Sequence, residues 1–172
     1  MHVVYLEADK SVYYPRKVSS DFIGKFTVLY FGSVLPLQGT EVILECVRLM
    51  KDCGDIMFDF IGPVSDDEIE KCKDSNVRFT PWLSQDALAE RIAAADLCLA
   101  GHFNASIGKA SRTIPGKAYI YEAMEKPMIL GDNPANHELF SEGTAHYFVK
   151  MGDAEKLKEK ILFASQQLKL GQ

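Results

Sequence analysis

Three cations, Lys109, Arg112 and Lys117, fall close together in the stretch from His102 to Glu122, which reads HFNASIGKASRTIPGKAYIYE. The chain as a whole is acidic, with 19 Lys+Arg against 24 Asp+Glu and a net charge of -5, so this cluster is a local exception. Cations gathered beside a helix N-terminus make an anion site, and a diphosphate is its natural guest. A helix is predicted from Lys117 to Glu125. Lys117 then lies in its first turn, where its charge opposes the helix dipole, so something other than helix stability favours a lysine there. A solvated loop is the plain alternative for the same residues.

A second candidate is the loop Phe31-Gly32-Ser33-Val34-Leu35-Pro36-Leu37-Gln38-Gly39. Its glycines allow a tight turn and close approach of backbone to a ligand, and the helix that follows offers free N–H groups. It is neither G-x-G-x-x-G nor G-x-x-x-x-G-K-[ST]. Glu122 could accept hydrogen bonds from two vicinal hydroxyls, as a ribose-binding acid does in other doubly wound folds. Trp82, the one tryptophan, could stack on a nucleobase or simply pack. Asp132 and Asn133 suit a helix cap better than a ligand site. The four histidines, His2, His102, His137 and His146, have no metal-ligand spacing, and only His102 falls on the predicted ligand edge. No Ser/His/Asp or Cys/His set can be assembled.

The elements that must position these residues alternate regularly. Apolar runs at Phe26–Phe31, Ile56–Ile61, Val77–Thr80, Asp96–Ala100, Pro127–Leu130 and Ala145–Val149 read as strands. Helical patterns separate them, from Gly39 to Met50, after Ser65, from Ser84 to Ala95, from Lys117, from Asn133 to about Phe140, and from Asp153 to Leu168. Short, near-continuous apolar strands alternating with helices predict an α/β, doubly wound, mostly parallel Rossmann-like sheet covered on both faces. In such sheets ligands bind beyond the carboxyl ends of the strands, where the loops named above cluster. Residues 1–24 carry Asp, Lys, Pro, Ser and Gly without lasting period and read as a short strand plus a connecting segment, with the domain proper over 25–172.

Composition narrows the classes. With 47% apolar and 25% charged residues the chain can build a real core, which excludes disorder and fibrous repeats. The acidic balance argues against a broad nucleic-acid footprint. Cys46, Cys53, Cys72 and Cys98 form no C-x-x-C pair and read as reduced packing thiols of a cytoplasmic protein. No leader pattern and no run of roughly 20 apolar residues is present.

The order of Phe31-Gly32…Gly39, Asp96-Leu97-Cys98-Leu99, Ile114-Pro115-Gly116-Lys117-Ala118-Tyr119-x-Tyr121-Glu122-Ala123-Met124-x-Lys126-Pro127 and Gly131-Asp132-Asn133-Pro134-Ala135-x-x-Glu138-Leu139 resembles the C-terminal half of a family-4 glycosyltransferase of GT-B fold. The opening Glu7-Ala8-Asp9-Lys10-Ser11-Val12-Tyr13-Tyr14-Pro15 is similar to the segment that leads into that half. The resemblance implies a donor-binding domain of a retaining enzyme that moves a sugar from a nucleotide-diphosphate sugar to a glycan or lipid acceptor. It implies no cofactor and no obligatory metal. Residues 1–24 would lead in from an N-terminal acceptor-binding domain, which would also carry any peripheral contact with the inner face of a membrane. Glu122 would bind the donor ribose, Gly32 to Gly39 would face the diphosphate and sugar, and Thr80 to Leu83 would lie near the base.

The donor-facing set is thus Gly32, Ser33, Gln38, Gly39, Trp82, Arg112, Thr113, Ile114, Lys117 and Glu122, with no catalytic residue assigned. The pattern departs from the family's in two places. The first carboxylate of a Glu-x7-Glu pair would fall at Ile114, and the Arg and Lys common in the first loop are replaced by Ser33 and Gln38. A branch that reads Lys-Ala-x-Arg-x-Ile-Pro-x-Lys is matched by Lys109, Arg112, Ile114, Pro115 and Lys117. In that reading Arg112 and Lys117 neutralise the departing nucleoside diphosphate. A sugar-nucleotide epimerase half-domain and a non-catalytic nucleotide-binding module are the alternatives that the same residues allow.

Overall fold

The computed structural model describes residues 9–32, 39–101, 103, 116–143 and 145–170. Among them six strands form one parallel sheet. In chain order they are β1 (Phe26–Phe31), β2 (Ile56–Ile61), β3 (Val77–Thr80), β4 (Leu97–Gly101), β5 (Met128–Gly131) and β6 (His146–Val149), and their spatial order is β3-β2-β1-β4-β5-β6. The helices are α1 (Thr40–Leu49), α2 (Asp66–Lys71), α3 (Gln85–Ala94), α4 (Gly116–Ala123), α5 (Pro134–Leu139) and α6 (Ala154–Leu170). This is the doubly wound Rossmann-like order, and it bears out the predicted α/β class.

The strands form because consecutive apolar residues can be buried on both faces at once. Val28 and Tyr30 enter a cluster with Ile43, Val47, Leu157 and Ile161 from α1 and α6. Leu29, between them, faces the opposite way and packs with Ala89 and Ile92 of α3 and Ala118 and Tyr121 of α4. Helix starts follow local chemistry. The Ser65 hydroxyl accepts from the Glu68 N–H at 3.3 Å, the Ser84 hydroxyl from Ala87 at 3.2 Å, and the Asn133 side chain from Asn136 at 2.8 Å, so Asn133 is a cap as the sequence suggests.

The connecting segment read over residues 1–24 is firmly seated where it is described. Tyr13 is buried against the α3 side, Arg16 pairs with Glu90 at 3.5 Å, and Asp21 pairs with Arg78 at 2.9 Å. Arg78 also covers the Phe22 ring. The strand Met1 to Glu7 lies outside the described residues. Asp59, an acid within the otherwise apolar β2, is buried yet matched: Arg78 binds both of its oxygens, at 3.2 and 2.9 Å, and Arg91 approaches both, at 2.9 and 3.2 Å. Bidentate guanidinium pairing makes a buried carboxylate tolerable.

The end of α4 carries a correctable strain. Glu125 has φ 56° and occupies the left-handed position after the helix, where the Lys126 N–H bonds back to the Tyr121 carbonyl at 2.9 Å. Glycine is favoured there because it has no Cβ to clash. Glu125→Gly is expected to raise stability by about 0.5–1 kcal/mol, since the relieved strain exceeds the added chain entropy. Urea unfolding checks this, and a lower midpoint would contradict it.

Candidate functional site

In the order β3-β2-β1-β4-β5-β6 the direction of winding reverses between β1 and β4. The chain leaves β1 for α1 on one face and leaves β4 for α4 on the other, so a crevice opens between the two carboxyl ends. Three predicted site residues converge on this edge. Gly32 follows β1, with φ 152° and its N–H bonded to the Ile61 carbonyl at 3.0 Å. Gly39, with φ 69°, caps the start of α1 and accepts from Val42 at 3.0 Å. Lys117, in the first turn of α4, is only 7% exposed.

The setting of Lys117 is unusual for an ammonium group. Its Nζ lies 5.2 Å from the centroid of the Tyr30 ring and 5.8 Å from that of Phe31. Those two rings belong to the last residues of β1 and point to opposite faces, so the lysine reaches the very end of that strand. Ring faces attract the cation, but burial pulls its pKa down to about 8. A charge held at this cost, beside the N-terminus of α4, suits an anionic guest that restores what desolvation removes.

Trp82 shares this carboxyl edge but lies two strands away from the crevice. It stands just past β3, 77% exposed, with its ring free to be covered from solvent. Glu122 projects from a different face of α4 than Lys117 does. Its carboxylate meets His146 Nε2 at 2.8 Å, and His146 is the first residue of β6. The reason is helical geometry: five residues beyond Lys117 is about 7.5 Å along the axis and roughly 140° around it. Ser33, Gln38, Arg112, Thr113 and Ile114 lie outside the described residues, as do His102 and Lys109. Among the described residues no group of three His, Cys, Asp or Glu could hold a metal ion, and no helix is long and apolar enough to cross a membrane.

The structure adds two residues that the sequence did not single out. Tyr121, one turn after Lys117 and fully buried, donates its hydroxyl proton to the Leu99 carbonyl at 3.0 Å and packs edge-on against Phe31 at 5.6 Å. Gly62, after β2, has φ 147°, and an added Cβ would lie 2.0 Å from the Gly32 carbonyl oxygen. The i, i+4 spacing of Lys117 and Tyr121 and the Ile61-Gly62 ending of β2 were the available signals.

A six-stranded, doubly wound parallel sheet with helices on both faces is a Rossmann-like α/β fold. More narrowly, residues 25–167 match the family model described as "Glycosyl transferases group 1", and the chain belongs to that family. Solved structures share the fold. The C-terminal domain of the glycosyl transferase group 1 family protein LpcC from Francisella tularensis aligns with TM-score 0.68 at 16% identity, over 94% of this chain and 90% of that one. HepE from Anabaena, solved in complex with UDP and glucose, aligns with TM-score 0.66 at 16% identity, over 97% of this chain and 48% of HepE. Sucrose-phosphate synthase from Thermosynechococcus elongatus aligns with TM-score 0.68 at 14% identity, over 95% and 43%. The chain therefore spans about half or less of the latter two and nearly all of the isolated domain. No curated protein sequence matches it.

Proposed function

We propose that this chain is the donor-binding half of a retaining glycosyltransferase, taking a nucleotide-diphosphate sugar and passing the glycosyl group to a glycan or lipid acceptor. The observation that carries this reading is the buried Lys117 at the switch point of a glycosyl transferase group 1 domain. When the bond between the anomeric carbon and the diphosphate oxygen breaks, the electron pair stays on that oxygen. Lys117, with Arg112 five residues earlier in the sequence, meets the charge that develops there. Trp82 supplies a face for the base. The acceptor site belongs to a second domain that closes the cleft, and neither cofactor nor metal is required. The binding of UDP by HepE, a protein of the same fold, is consistent with this guest.

A thermal-shift titration with UDP, GDP and ADP tests the reading. At a hundredfold excess over Kd the matching nucleotide should add about 2.7 kcal/mol of stability, a rise of roughly 5–10 °C in a domain of this size. No protection by any of the three at millimolar concentration would refute it.

A further inference from the structure

The pairing of β1 with its two neighbours is unequal. With β2 it runs the full strand, from Phe26↔Ile56 to Phe31↔Ile61, whereas with β4 it stops after Val28↔Leu97 and Leu29↔Cys98. The direction of the backbone groups shows what is missing. Phe26 and Gly32 donate their N–H groups toward β2, to Asp55 and Ile61, so by the strand's alternation Thr27, Leu29 and Phe31 donate toward β4. Thr27 does so, to the Asp96 carboxylate at 2.8 Å, and Asp96 N–H returns a bond to the Thr27 carbonyl at 2.9 Å. Beyond the Leu29↔Cys98 register, the next rung would be Phe31 N–H to Leu99 C=O. That carbonyl is occupied instead by the Tyr121 hydroxyl at 3.0 Å, and the Tyr121 ring packs edge-on against Phe31 at 5.6 Å.

We infer that Tyr121 is a positioning residue: its hydroxyl replaces one rung between β1 and β4 and holds the strand ends apart, so that Lys117 can enter the crevice between them. A hydroxyl donates freely, so it can take a carbonyl that the ladder would otherwise use and leave that acceptor satisfied. Lys117 and Tyr121 are one helical turn apart on α4 and so share a face. The phenol spaces the strands while the ammonium occupies the resulting opening. Such a spacer is needed because a parallel ladder otherwise tends to continue, each buried N–H and C=O being costly to leave unmade. The reading rests on the donor role proposed above, since the opening is assigned to the diphosphate.

Tyr121→Phe keeps the ring and removes the spacer. The strands are then expected to zip by one rung and expel Lys117. In a lysine-selective NMR titration the midpoint of Lys117 should move from about 8 in the wild type back toward 10.5, the ordinary value for lysine. Affinity for the nucleoside diphosphate that protects the wild type should fall about tenfold, the order of one lost hydrogen bond to a charged group. A purely structural role would lower the melting temperature and leave both readouts in place, and that result overturns the inference. The titration needs no ligand. A wild type that binds no UDP, GDP or ADP would thus sink the donor reading, while Lys117 still decides the role of Tyr121. Should Tyr121→Phe not fold, the wild type alone is decisive. Its trans-hydrogen-bond coupling between the Phe31 nitrogen and the Leu99 carbonyl carbon should be absent, and a measurable coupling would show that the rung exists and refute the spacer.

Discussion

Lys117→Met is expected to stabilise the domain while abolishing most of its affinity for a nucleoside diphosphate. Burial moves the ammonium from 10.5 to about 8, and at about 1.4 kcal/mol per tenfold change in proton affinity this is a cost of roughly 3 kcal/mol near neutral pH. Methionine has nearly the same length and no charge to desolvate. Allowing for imperfect repacking against Tyr30 and Phe31, the melting temperature should rise on the order of 5 °C. The same substitution removes the cation proposed to meet the diphosphate. Truncating one partner of a desolvated charge pair costs about 2–5 kcal/mol, so affinity should fall about thirtyfold or more. Paired thermal melts and calorimetry check both halves, and a variant that is less stable yet binds as well as the wild type would contradict them.

The pH dependence follows with a definite sign. Between about 8 and 10.5 the unfolded chain holds the Lys117 proton and the folded one does not, so in this window stability rises with pH. The penalty is fully present below the folded value. The stability advantage of Lys117→Met is therefore largest at neutral pH and should shrink as pH climbs through that window. Wild-type affinity for a diphosphate should decline above pH 8, by up to tenfold per pH unit, because the binding form is the protonated lysine. The methionine variant should lack that inflection.

Gly62→Ala is expected to be the most damaging single-methyl change at the crevice. The new Cβ would stand 2.0 Å from the Gly32 carbonyl oxygen, and at φ 147° no other placement is open to it. The clashing atom is backbone, which cannot swing aside as a side chain can. Either Gly32 moves away from Ile61, breaking the 3.0 Å bond between them, or the end of β2 shifts. Overpacking of about 1–3 kcal/mol adds to backbone strain of about 1–2 kcal/mol, for a loss of roughly 3 kcal/mol and a melting temperature lower by about 6–12 °C. Because Gly32 leads into the loop assigned to the diphosphate, surviving folded protein should also bind nucleotide less tightly. Unchanged stability in urea would show that this edge is looser than its geometry implies.

Glu122 and Asp59 mark where a reading from sequence alone stops. Glu122 lies five residues beyond Lys117 in a clear helical pattern, and a ribose-binding role for it followed from likeness to other folds. The position of its carboxylate depends on which face of α4 meets the sheet, and that face is set by Lys117, Ala118 and Tyr121 going inward. Asp59 interrupts an apolar run, and nothing local says how its charge is met. Its partners, Arg78 and Arg91, come from other elements, 19 and 32 residues away.

The alternation of strand and helix, the caps at Ser65, Ser84 and Asn133, and the cationic stretch ending in Lys117 could all be read from sequence. Each is a local matter of side-chain period, hydrogen bonding to the nearest backbone, or charge, and needs only neighbouring residues. Which strands lie side by side is not local. β1 meets β2 in one direction and β4 in the other, and that choice alone places the crevice, the Gly32–Gly62 contact and the Tyr121 spacer. Those features arise from groups that become neighbours only when the sheet closes, because satisfying the backbone groups on both edges of β1 requires partner strands about 30 and 70 residues away in the chain.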